Sequence, residues 1–271
     1  MEGAYMEDVF INKINIKINL YKYTIVYAKN SIIVLNDKMR NESVTIPKGS
    51  VALLERGLKI YLNINRFSES SPYEIISLTD NKLQDVIKIF DLFYSVRVNK
   101  CKMSRGLYDK VFIIDGNYIN RLLFDEVRFK VKEGDEQYIY ELACLLSRVT
   151  NLQSLYNSLY VSASNFFTDK VRKIIEKDLS KKWRLSTISD ELNISEVAIR
   201  KKLDSEGINF NQVLLDARMQ AAVRLILNGE YHVNKISTLI GMSSTSYFIK
   251  IFSSYYGTTP KQFYLYHKTK K

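Results

Sequence analysis

At 271 residues the chain exceeds the ~100–150 of a typical single domain, so two domains are expected. Apolar residues make up 46% and only three prolines occur, which excludes a disordered or collagen-like chain, and no apolar run approaches the ~20 residues that span a bilayer. The net charge of +11 suits a polyanionic partner, although a basic surface serves solubility or membrane attraction equally, and it is unevenly spread, residues 163–271 holding 18 Lys and Arg against 10 Asp and Glu.

Residues 11–78 are short and β-like: Ile14, Ile16, Ile18 and Leu20 alternate with polar residues, as do residues 59–66. Turn signals at Asn36-Asp37, 47–49 and 68–72 separate the runs at spacings typical of a small β barrel or sandwich, so an antiparallel β domain is expected. After Thr79 the period becomes helical, with Leu83, Val86, Ile87 and Phe90 on one stripe and Asp80 as the expected cap. One longer helix is expected over 135–159, its stripe running through Tyr138, Leu142, Leu145, Leu146, Val149, Leu152 and Tyr156. That stripe suits a dimer interface or packing on its own barrel, and periodicity alone does not separate the two. Small polar residues at 162–168 mark the expected linker, giving domains 1–162 and 163–271.

Beyond the linker the pattern is helical pieces broken by Gly, Asn and Ser. Residues 185–192, the turn Asn193-Ile194 and Ser195 as the cap of a basic helix form a helix-turn-helix pattern carrying Arg200, Lys201 and Lys202. The pattern returns at 236–240, Gly241-Met242, and Ser243 or Ser244 opening 247–255. Ile188-Ser189 matches Ile236-Ser237 at an offset of 48, and Gly207 and Gln212 match Gly257 and Gln262 at 50. Between the units, 211–228 is expected as one long helix ending at Gly229.

This tandem pattern resembles the DNA-binding domain of the AraC/XylS family of bacterial transcription regulators. The resemblance rests on Ala217-Arg218, Ala221-Ala222, Leu225, Ile236-Ser237 and Gly241-Met242. It continues through Ser246-Tyr247-Phe248, Phe252, Gly257, Thr259-Pro260 and Phe263. A narrower likeness is to the branch that regulates virulence genes in enteric pathogens, carried by 166–172, 199–203 and 209–212. Asn193 stands where the family has glycine, but Asn tolerates left-handed geometry, so the turn should survive.

The resemblance implies an α+β chain: a cupin-like β barrel with a helical dimerisation segment, then an all-α domain with two helix-turn-helix units. It implies an activator that binds duplex DNA through Val197, Arg200 and Lys201 in the first unit and Ser246, Ile249 and Lys250 in the second. Arg200 suits bidentate bonding to guanine, and Val197 and Ile249 suit thymine methyls at AT-rich sites, although either apolar residue would also fit a core. Phe248, Phe252, Tyr255 and Phe263 are assigned to that core by their spacing. RNA polymerase and a second copy of the chain are the implied protein partners. Alignment on 21–23 and 229–232 places Lys22 and His232 at cationic contacts for a small carboxylate effector between the domains; each also fits an ordinary surface role.

No cofactor is expected, and Cys101, Cys144, His232 and His267 cannot make a four-ligand metal set. No signal peptide opens the sequence, so a cytoplasmic location is expected, with both cysteines as small buried hydrophobes. No phosphate-binding loop, nucleophile elbow or zinc-protease motif occurs, which argues against an enzyme. An RNA-binding protein, an effector-independent DNA-binding protein and an antagonist of other regulators are the alternatives.

Overall fold

The computed structural model describes residues 12–94, 105–135, 137–164, 166–229 and 232–268. The chain divides after Ser164 into two compact units.

The first unit begins with β1 (Asn12–Asn19), β2 (Thr24–Tyr27), β3 (Ser31–Asp37), β4 (Glu42–Ile46), β5 (Val51–Leu54), β6 (Lys59–Arg66) and β7 (Glu74–Ser77). With β8 (Val111–Ile114) they form two antiparallel sheets, ordered β1-β6-β3-β4 and β7-β2-β5-β8, rather than a closed barrel. Composition explains which sheet is covered. β5 is an unbroken apolar run and β2 is apolar after Thr24, and both are buried at every position, as expected of strands covered on both faces. β1 and β6 alternate, Ile14, Ile16, Ile60 and Ile64 facing inward and lysine and asparagine outward.

Helices cover the second sheet: α1 (Asp80–Phe90), α2 (Tyr118–Glu133), α3 (Ile139–Leu146) and α4 (Leu152–Ser162). Thr79, not Asp80, caps α1, its side chain accepting from Lys82 N. α2 and β8 are not assigned by the sequence pattern. The expected single helix over 135–159 is two, because Asn151 leaves helical geometry and spends its side chain on the Ser154 amide, opening a new helix. The stripe itself is core: Leu142, Leu145 and Leu146 are fully buried with Tyr156 and Leu159 against Phe124 and Tyr27. A dimer face on that stripe is therefore ruled out by packing within the unit. Cys144 is exposed, against the expectation of burial, because it lies on the far side of α3 from Leu142, Leu145 and Leu146; Cys101 lies outside the described residues.

The second unit runs α5 (Phe167–Glu176), α6 (Leu185–Leu192), α7 (Glu196–Ser205), α8 (Phe210–Asn228), α9 (Val233–Leu239), α10 (Thr245–Tyr256) and α11 (Pro260–His267). α8 is the shared strut. Its small residues Ala217, Ala221 and Ala222 are buried and let α5, α9 and α11 approach it closely. One apolar cluster joins α5 to α8 through Ile175, Trp183, Ile188, Ile199, Leu203 and Val213. A second is built from aromatic rings, Phe252 lying 5.7 Å from Phe248, 4.7 Å from Tyr256 and 5.8 Å from Phe263 between centroids.

Candidate nucleic-acid interface

The two helix pairs are built by the same local chemistry. α6 ends at Asn193, left-handed with φ 52°, and the second turn places Gly241 at φ 68°. The departure from glycine at 193 is thus accommodated by asparagine. Ser195 then caps α7 by accepting from Ala198 N, and Ser244, of the two candidates, caps α10 by accepting from Tyr247 N. The repeat extends to the helices that follow. Asn209 and Thr259 cap α8 and α11, accepting from Gln212 N and Gln262 N, and Gln262 closes a capping box.

Counting from the two caps, Ser195 and Ser244, puts the candidate DNA contacts in register. Val197 and Ser246 are each second after the cap, Arg200 and Ile249 fifth, Lys201 and Lys250 sixth. Positions two, five and six share one helix face, and all six side chains are exposed. The fourth and eighth positions, Ile199 and Leu203 against Phe248 and Phe252, are buried in both units. Val197 is 58% and Ile249 38% exposed, so neither belongs to the core. The tyrosine assignment needs correcting by one residue: Tyr256 is buried, whereas Tyr255 is half-buried and donates its hydroxyl to Asp216 at 2.7 Å. Period-3.6 spacing puts both tyrosines near the edge of the apolar stripe, and the fully buried Asp216 selects the one whose hydroxyl reaches it.

Electrostatically the exposed faces favour an anion. α10 contains no acidic residue, whereas α7 carries two acids near its exposed face, Glu196, paired to Arg200 at 3.0 Å, and exposed Asp204, four residues beyond Arg200. Both partners are solvent-exposed, and such i,i+4 pairs are worth at most ~1 kcal/mol, so a guanine edge or phosphate competes readily for the guanidinium. Lys202 is held over the Phe167 ring at 5.2 Å to the centroid, turned away from this face. Exposed Lys181, Lys182 and Arg184 precede α6, and Tyr247, 48% exposed, lies one position after Ser246. Sequence reasoning passed over these four; their signal was a cation cluster just before the first helix of a pair, and an aromatic at a position whose counterpart is Ala198.

The supports behind the face are polar. Phe166, at the start of α5, has no capping side chain of its own, and Glu206 at the end of α7 supplies the acceptors. Its carboxylate takes hydrogen bonds from the amide of Phe167, from the Thr168 amide at 2.9 Å and from the Thr168 hydroxyl. Asp216 on α8 accepts from Gln212 at 2.6 Å as well as from Tyr255, tying α8 to α10. Burial, reinforced by the neighbouring Asp216 charge, pushes the Tyr256 hydroxyl well above the ordinary tyrosine range and keeps it neutral. Gly241 packs against the 178–181 loop, where Arg218 also donates to Lys181 O at 3.1 Å. The second turn is thereby braced against the segment that introduces the first helix pair.

The two residues proposed for an effector are exposed in their own units. Lys22 sits in the turn before β2, where its carbonyl accepts from the Thr24 hydroxyl, and is not on a strand. His232 precedes α9 as its N-cap residue without a capping hydrogen bond; Glu230 and Tyr231 lie outside the described residues.

Comparison with known proteins agrees with this geometry. A helix-turn-helix domain model matches residues 188–264. The virulence regulon transcriptional activator VirF of Shigella flexneri is 44% identical over 257 residues, covering 95% of this chain and 97% of VirF. The transcriptional activator CfaD of Escherichia coli is 37% identical over 269 residues, 99% of each chain. Among solved structures, ToxT of Vibrio cholerae bound to an unsaturated fatty acid shares the fold with a TM-score of 0.63 at 17% identity, over 94% of this chain and 92% of ToxT. Since relatives of this identity match from end to end and the tandem helix-turn-helix units lie where the domain model places them, the chain belongs to the AraC/XylS family of transcription regulators.

Proposed function

We propose that this chain is a sequence-specific duplex-DNA-binding regulator that activates virulence or colonisation genes, with α7 and α10 as the reading helices. The observation that carries this reading is the cap-registered pair of exposed faces, in which the same three positions of each helix point outward and no acid competes on α10. On such helices, residues near the N-terminus reach base edges in the major groove while cations and amides hold phosphates. We assign Val197, Arg200, Lys201, Ser246, Ile249 and Lys250 to contact DNA, with the two aliphatic residues favouring thymine methyls and hence AT-rich sites. Activation implies contact with RNA polymerase in the cytoplasm, and we assign a homodimer that uses surfaces other than the buried 138–159 stripe.

Arg200→Ala tests the reading. Loss of a bidentate base contact costs ~1–3 kcal/mol and relaxes preference at one base pair, measured by anisotropy against operator variants. A folded variant with parental affinity and selectivity removes Arg200 from the site, and preference for structured RNA over duplex DNA overturns the reading as a whole.

A small anionic effector is the second part of the proposal. The relatives' activator roles and the fatty acid held by ToxT support it, and Lys22 and His232 are the cations we assign to the response. An effector changes DNA affinity only by as much as it discriminates between conformations. Lys22→Ala and His232→Ala should therefore blunt the effector response and leave effector-free DNA binding intact; parental responses in both variants would dismiss these residues.

A further inference from the structure

The outward face of the β1-β6-β3-β4 sheet is unlike the rest of the first unit. Its positions fall in register across the strands: Lys13, Asn65 and Ile32; Asn15, Asn63, Val34 and Thr45; Lys17, Tyr61, Asn36 and Ser43; then Asn19 beside Lys59. None of them is acidic. The two acids that these strands do carry are turned elsewhere, Asp37 accepting from the amides of Met39 and Arg40, and Glu42 from the amide of Leu107. Lys13, Lys17, Lys38 and Lys59 are all exposed, and among the described residues none of the four is paired with an acid. Two of these cations converge on one ring, Lys38 at 4.1 Å and Lys17 at 6.0 Å from the centroid of Tyr61. Like charges gathered over a shared ring, without a carboxylate on the face, are relieved by an external anion.

We propose that this sheet face is a second nucleic-acid surface, which binds the phosphate backbone of duplex DNA without reading sequence. The inference rests on the duplex-DNA function above and extends it to the first unit. The chemistry fits the occupant closely. Lysine, asparagine, serine, threonine and tyrosine are the side chains that hold phosphate and sugar oxygens, and they make up nearly the whole face. Lys13 and Lys17 lie four residues apart on one side of β1, about 13 Å at ~3.3 Å per residue, comparable with the ~12 Å width of a major groove. Because the two units are one chain, a duplex held by α7 and α10 stays tethered to the first unit, and weak individual contacts count wherever one duplex engages both. Asparagine amides and lysine ammonium groups carry no base information in this arrangement, so the face adds affinity and salt dependence and leaves selectivity to the helices.

The salt dependence of binding tests this directly, because each phosphate neutralised contributes ~0.9 to the slope of log affinity against log salt. The probe is a short labelled AT-rich duplex titrated with the full chain between ~50 and ~200 mM potassium chloride. The variant Lys13→Gln, Lys17→Gln, Lys38→Gln, Lys59→Gln should reduce the slope by roughly 2–4 and retain the parental melting profile and base preference. The pair Lys17→Gln, Lys38→Gln should reduce it by roughly 1–2, and serves if the quadruple variant folds poorly. A control that removes the same charge from helices and a loop of the same unit, Lys88→Gln, Arg121→Gln, Lys132→Gln, Arg148→Gln, should leave the slope within about 1 of the parent. Equal slopes in the parent and the sheet variants, or an equal fall in sheet variant and control, overturn the proposal. An unchanged slope with lost promoter activation in cells does so too, and reassigns the face to an acidic protein. A parent that binds no duplex overturns both this surface and the DNA reading, whereas a parent that binds with the variant's slope overturns the surface alone.

Discussion

Gly241 and Asn193 adopt the same left-handed conformation, and their surroundings make them unequal. A Cβ at Gly241 would meet Leu179 O at 2.5 Å and Ser180 O at 2.9 Å, backbone atoms that cannot swing aside. Gly241→Ala therefore adds a clash to the strain of positive φ, an expected loss of roughly 2–4 kcal/mol. Asn193→Gly should change stability by no more than about 1 kcal/mol. The sole tryptophan, Trp183, is buried in the same unit and bonded to Asp178 O, so its fluorescence in urea reports both substitutions. Glu55 makes a pH-dependent case in the other unit. It is 3% exposed, paired with Arg105 at 2.7 Å, and burial outweighs that pairing to hold its carboxyl above the ordinary 4.5. A raised folded value means that its contribution is fully present below 4.5 and is lost as pH rises through the folded value. Against Glu55→Gln, which cannot titrate, the parent should gain relative melting temperature as pH falls from neutrality towards 4.5; a flat difference would contradict the assignment.

At the scale of elements, α5 depends on a residue that no local pattern supplies. Its N-terminal amides are satisfied by Glu206, 38 residues beyond Thr168, at the end of α7. Glu206→Ala leaves those donors without their carboxylate and should cost ~1–2 kcal/mol, against less for Glu206→Gln, which keeps an acceptor. Hydrogen exchange at Phe167 and Thr168 should rise in the alanine variant before global unfolding. The cap of α7 was legible, and that of α10 to a choice of two serines, because each is a Ser three residues before the amide it serves; Asn209 and Thr259 follow the same rule but were not assigned from the sequence. The Glu206 cap was illegible, and so was the break between α3 and α4, since an apolar period continues across residues 147–151 whether or not the backbone does.

For the whole molecule, the fate of the 138–159 stripe distinguishes a core from an interface. Leu145 is fully buried among Tyr27-, Phe124- and Tyr156-containing layers, so Leu145→Lys places a charge where no water or partner reaches it. The expected outcome is loss of cooperative folding of the first unit by circular dichroism, at every protein concentration. A variant that stays folded and merely changes its sedimentation would restore the stripe as a contact between copies.

The amino-acid sequence by itself determined the second unit almost completely, because helical period, caps and left-handed turn residues are local and occur twice, each copy checking the other. From it followed the two helix-turn-helix units, and the resemblance they carry supplied the family and the candidate contact positions 197, 200, 201, 246, 249 and 250, all of which prove exposed. Tertiary structure alone decided what lies across space. It gathered alternating strands into two sheets instead of a closed barrel, buried Tyr256 in place of Tyr255, exposed Cys144, and collected four lysines from β1, β6 and the turn after β3 on one acid-free face. Strand partners are set by long-range pairing, which leaves no periodic trace in a single chain, and that is why a surface made of them becomes visible only once the sheet is assembled.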